Sequence, residues 1–117
     1  MDDNWNRFRD AAVVMAGQGP IKQRLIQACR QHLTDIEPED LPHEIRGDFD
    51  RLHSAISSAR AAGVRDQIEA SILKMSEAEA GRHGVGIVMM FAALSTRQLR
   101  HPAVRTAPPL RAVSGED

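Results

Sequence analysis

Tyrosine is absent from this chain of 117 residues, and its aromatic side chains are confined to Trp5, Phe8, Phe49 and Phe91. A core must therefore be assembled from Leu, Ile, Val, Met and Ala, a mixture better suited to helix packing than to a β-sandwich. Four aromatics also supply few stacking platforms for single-stranded nucleic acid. Cysteine occurs once, at Cys29, which excludes an intramolecular disulfide and a thiolate-rich metal site. Neither sign of charge prevails: 15 Lys and Arg stand against 16 Asp and Glu. No net field draws the chain to nucleic acid or to an anionic membrane. The longest apolar run has ten residues, half of the roughly 20 that a membrane-spanning helix needs. The acidic start Met1-Asp2-Asp3-Asn4 leads into no apolar signal core, so a cytoplasmic location is expected. Gly-x-Ser-x-Gly, a phosphate-binding loop and a dinucleotide fingerprint are all missing.

What the chain does have is helical period. Trp5, Phe8, Ala12 and Met15 share one face of a first helix over 3–16, which Gly17-Gln18-Gly19-Pro20 stops. Ile21, Leu25, Ala28/Cys29, Leu33 and Ile36 stripe a second helix over 20–36, and Pro38 ends it. Asp40 is placed to cap a third, over 42–61, striped by Ile45, Phe49, Leu52, Ile56 and Ala59. Asp66 can cap a shorter fourth, with Ile68, Ile72 and Met75 on one face. Ser76-Glu77-Ala78-Glu79 has the form of a capping box and opens a fifth helix that runs to about Leu94 or Thr96. Whether helices four and five are separate or one kinked rod stays open at this level. No internal repeat and no sustained heptad emerges. The expected fold is all-α, a compact bundle of four to five helices. A bundle domain over 1–98 is followed by a proline-containing basic tail over 99–117, expected to be disordered.

The ten-residue run is Val85 to Leu94, and it carries no polar side chain on any face. An ordinary surface helix keeps one polar face. This one calls for cover all round, either as the central helix of the bundle or at a subunit interface. Ile87, Val88, Phe91 and Leu94 are thus expected in core or interface. Three glycines, Gly81, Gly84 and Gly86, lie within six residues at its start. They suit either close approach of a partner helix or a kink. The interface expected from these features is Gly81, Gly84, Val85, Val88 and Phe91.

Charge is unevenly spread. Seven carboxylates and one arginine lie between Asp35 and Asp50, whereas four arginines and no acid lie between Arg97 and Arg111. Glu37, Glu39, Asp40, Glu44 and Asp48 on one side, and Arg97, Arg100, Arg105 and Arg111 on the other, are candidate partner-binding charges. The tail can fold back on the acidic helix, or each can recruit a partner; an ordinary solvated surface is the plain alternative.

Five histidines are present, yet Glu39/His43 and Glu79/His83 stand four apart, without the Glu-x-x-His spacing of a di-iron bundle. No catalytic residue, cofactor or metal is assigned. Cys29 lies on an apolar stripe and reads as a small buried hydrophobe. Helices two and three could suggest a helix-turn-helix, but the second would carry Glu44, Asp48 and Asp50 where phosphate demands bases. The expected function is therefore a small non-enzymatic protein-interaction, regulatory or adaptor protein that uses a helical surface and a charged tail. Its expected partner is another protein, with a homodimer among the expectations, and neither nucleic acid nor membrane. The alternatives are a DNA-binding regulator using helix two and the arginine tail, or a small metal-dependent enzyme using His43, Glu44, Glu79 or His83. If the tail is a recruiting arm rather than a structural element, deleting residues 101–117 leaves the melting temperature almost unchanged while weakening partner capture. Thermal melting and a binding assay on the truncated chain check this.

Overall fold

The computed structural model describes residues 3–60 and 63–100, which form an all-α bundle. Among the described residues there are five α-helices and no strand: α1 (Asp3–Met15), α2 (Ile21–Ala28), α3 (His43–Ile56), α4 (Val64–Lys74) and α5 (Glu77–Arg100). A π-helical turn (Cys29–Leu33) extends α2, and a 3-10 turn (Pro38–Asp40) precedes α3. No helix among the described residues is long and apolar enough to cross a membrane. The tail from His101 onward, with Arg105 and Arg111, lies outside the described residues.

Each helix forms where its apolar residues repeat. Phe8, Ala11 and Met15 bury the inner face of α1. Gly19 then takes φ of 104°, a left-handed conformation that costs glycine little. Arg24 fastens this corner by donating to the carbonyls of Gly19 at 2.8 Å and Met15 at 2.6 Å. It thereby partners a carbonyl in α1's last turn that the helix leaves unpaired. In the second helical segment Leu25, Cys29 and Leu33 stand four apart and are all buried. A strict α-helix would rotate that row steadily off the core; the wider π turn keeps Leu33 aligned with Cys29.

Some helix ends differ from the expectations. Asp40 sits in the 3-10 turn, and Pro42 occupies the N-cap of α3 without a side-chain hydrogen bond. Gly63, not Asp66, is the N-cap of α4. Helix α3 stops at Ile56, five residues early, where Ser58 Oγ bonds back to the Ala55 carbonyl. The chain then turns so that the Ala59 amide donates to the buried Ser71 Oγ at 2.9 Å, which ties α3's exit to α4. Helices α4 and α5 are separate, broken at Met75, whose ψ of 156° is extended. Ser76 caps α5, accepting from the Glu79 amide at 3.0 Å, which is one of the two bonds of a capping box.

Helix α5 packs on α1, α2 and α3, while α4 closes the bundle against α2 and α3. Trp5 packs against Phe91 with the rings tilted at 50° and their centroids 5.5 Å apart, and it donates its indole N–H to Ser95 Oγ at 3.0 Å. Met15 reaches Gly84 from the other end of α1, so α1 and α5 run antiparallel. Phe8 meets Phe49 edge-on at 6.1 Å in the centre.

Within the chain, cover on α5 is one-sided, so the run is not a central helix buried all round, and the interface alternative is the one left for its outer face. Ile87 and Leu94 are buried and Phe91 is half-buried, but Val85, Val88 and Met89 are 62%, 42% and 62% exposed. The reason is geometric: α1, α2 and α3 all pack against the same side. Ile87→Ala should therefore cost about 3 kcal/mol, and Val88→Ala should stay within about 0.5 kcal/mol of wild type. Denaturant unfolding of the two variants tests this; equal losses would mean α5 is covered all round.

Candidate interaction surface on the fifth helix

The outward side of α5 presents Ala78, Arg82, Val85, Met89, Ala92 and Thr96, all exposed. They recur at alternating intervals of four and three, the spacing of a helix–helix seam. Beside this row, between α5 and α3, runs an open groove of about 860 Å³. Leu52, Gly86, Met89 and Met90 give it apolar walls, and Asp48, Arg51 and Arg82 supply charge. Asp48 and Arg51 form an ion pair within α3. Arg82 has no ion-pair partner among the described residues.

A second cleft of about 260 Å³ continues along the same two helices, lined by Pro42, Glu44, Ile45, Ala93, Thr96 and Arg97. Pro42 to Ile45 thus face the C-terminal half of α5, whereas Asp48 to Leu52 face its middle, so α3 also runs antiparallel to α5. Arg97 reaches Glu44 at 3.6 Å, with both side chains largely in solvent. Arg97 makes this contact from within α5, whereas the tail from His101 onward lies outside the described residues.

The glycines divide by role. A Cβ at Gly84 would stand 2.6 Å from the Met15 methyl, so Gly84 serves packing within the chain. Gly81 and Gly86 have open space where a Cβ would be. They flank the outward row and leave its backbone open to close approach. Of the five residues expected at an interface, Val85 and Val88 face outward with Gly81 beside them, while Gly84 and Phe91 turn inward to Met15 and Trp5.

The acidic residues do not form one surface. Glu37 and Asp40 line a polar cleft with Asp3, Asn4, Arg7 and Asp35, in which Arg7 lies 3.9 Å from Asp35. Glu39 is exposed beside it; Glu44 and Asp48 stand on α3 with their arginine partners. Arg100 is in the last turn of α5. His83 Nε2 lies 3.8 Å from Glu79, one turn away on α5. Among the described residues no three of His, Cys, Asp and Glu converge as a metal site would require. Neither the outward row nor the second cleft was picked out from the sequence. Only the three–four spacing inside the apolar run signalled the row, and every other face of that run was apolar too.

No protein-family model, no curated protein and no solved structure matches the chain.

Cys29 is a buried free thiol, and burial pushes its pKa from 9.0 up to about 12. Below pH 9 folded and unfolded chains both keep the proton, so the residue adds no pH dependence there. Above it the unfolded thiol ionises while the folded one does not. Stability then falls with rising pH by about 1.4 kcal/mol per unit until the folded thiol itself ionises. Denaturant titrations between pH 8 and about 11 should show this slope, and Cys29→Ala should remove it. Rapid labelling of the native thiol by a water-soluble disulfide reagent would contradict the burial.

Proposed function

We propose that this chain is a small non-enzymatic protein-interaction or regulatory protein whose working surface is the outward side of α5 and the α3–α5 groove. The single observation that carries this reading is the exposure of Val85, Val88 and Met89 together on one helix face. Contiguous exposed apolar side chains with polar neighbours are what a soluble domain keeps for a partner. Methionine suits such a surface, because its unbranched side chain adapts to the shape it meets. The apolar walls supply affinity, and the charges of Asp48, Arg51 and Arg82 orient what docks.

The partner is another protein, and a second copy of the chain belongs to the same reading. Arg97 lines the second cleft, and with Arg100, Arg105 and Arg111 it supplies the basic charges of this reading. Its acidic counterparts are Glu37, Glu39, Asp40, Glu44 and Asp48. A reducing, cytoplasmic setting suits a protein whose one cysteine is an unpaired thiol.

The test compares wild type with Val85→Glu/Met89→Glu, each tagged at the N-terminus so that the tail stays free. Both positions are exposed, so the variant should melt within a few degrees of wild type. It should lose whatever the wild type binds in host extract and in solution. Identical binding by the two chains, or a wild type that binds nothing and sediments as a 12.9 kDa monomer, would overturn the reading.

A further inference from the structure

Resting on the interaction surface just described, we infer that its occupant is a second copy of this chain, with the two α5 helices packed antiparallel about a two-fold axis at the level of Ile87, so that Arg82 of each copy enters the cleft beside Glu44 of the other.

The spacing of the outward row leads to this register. Its positions are symmetric about residue 87. Antiparallel pairing there sets Val85 against Met89 of the other copy, Arg82 against Ala92, and Ala78 against Thr96, each layer occurring twice. Every large side chain of the row meets a smaller or flexible one. A two-fold pairing needs such a self-complementary patch. Gly81 and Gly86 flank the row with open space beside their Cα atoms, so the helices can approach closely. A parallel pairing would instead bring Arg82 onto Arg82, a like-charge contact.

Charge complementarity fixes the partner further. Arg82 stands on the α3 side of the row, where it lines the larger groove. A two-fold axis brings the α3 sides of both copies to the same side of the seam. Opposite Ala92, Arg82 therefore comes over the second cleft, which is lined by Pro42, Glu44, Ala93 and Thr96. The Glu44 carboxylate is 67% exposed there and lies at a loose 3.6 Å from Arg97. It retains acceptor capacity for a second guanidinium. Arg82, without an ion-pair partner within its own described chain, supplies one. This pairing occupies the apolar row and the second cleft together.

Sedimentation of the full-length chain at micromolar concentration, with circular dichroism as the check on folding, tests the register by charge reversal. Wild type should sediment at twice the 12.9 kDa chain mass. Arg82→Glu and Glu44→Arg should each weaken dimerisation at least about tenfold, and the double variant should recover to within about threefold of wild type. A double variant as weak as the two single losses combined would overturn the pairing. As a readout independent of charge, Val85→Cys and Met89→Cys chains mixed in equal amounts should oxidise chiefly to the mixed disulfide, whereas a parallel pair would yield two homodisulfides. Cys29 is buried and does not compete. A dimer indifferent to the charge swap overturns the register and leaves the α5 surface standing. A wild type that remains monomeric overturns the self-pairing, and the surface then stands only if Val85→Glu/Met89→Glu abolishes binding of a different protein.

Discussion

The bundle depends on the packing of α1 along α5, and at one end of that seam the Met15 methyl lies against Gly84. A Cβ there would stand 2.6 Å from the Met15 methyl, the far end of a flexible side chain, and at an ordinary contact distance of 3.7 Å from Ile21. With Met15 seated, α1 lies along α5 far enough for Trp5 to pack against Phe91 at the other end. Phe8 and Ala11 between them are then fully buried. Helix α3 reaches the same core through Phe49, and α4 follows through Ile72 and Ser71. A glycine in mid-helix weakens that helix by roughly 1 kcal/mol relative to alanine. Here that cost permits an interhelix contact which no larger residue would allow without moving Met15.

One-sided packing follows from the same contact. Among the described residues three helices converge on the inner stripe of α5 and none crosses its outer one. The apolar run thus does two jobs along one segment: Ile87, Met90 and Leu94 close the core while Val85, Val88 and Met89 remain in solvent. The outer stripe is the surface that the proposed partner would bury.

Much of the helix layout was legible in the residues. Ser76 and the stripes of α3 and α4 could be read directly, and that of α1 except that Ala11 rather than Ala12 is buried, because caps and three–four spacing act within a few residues of themselves. The bounds of α3 and α4 could not. Ser58 and Ser71 decide where α3 ends, and their bonds reach the neighbouring turn or another helix. The stripe of Leu25, Cys29 and Leu33 could be read too, but not that a π turn carries its second half, because an ordinary helix accommodates the same spacing. The candidate surface was half visible. Val85 and Val88 stood out in an apolar run, but a run that is apolar on every face does not say which face turns outward. Gly84 and Gly86 look alike in sequence, and only the position of Met15 separates them. Glu44 and Arg97 were legible as charges; that they flank one cleft depends on α3 running antiparallel to α5.

Trp5 has a further consequence. It is the only tryptophan in a chain with no tyrosine, so nearly all ultraviolet emission originates at one point. That point is the seam where the indole touches Phe91, donates to Ser95, and lies under the Arg9 guanidinium at 5.4 Å. The intrinsic fluorescence of this molecule is thus a local gauge of whether α1 remains docked on the C-terminal half of α5, without any added dye.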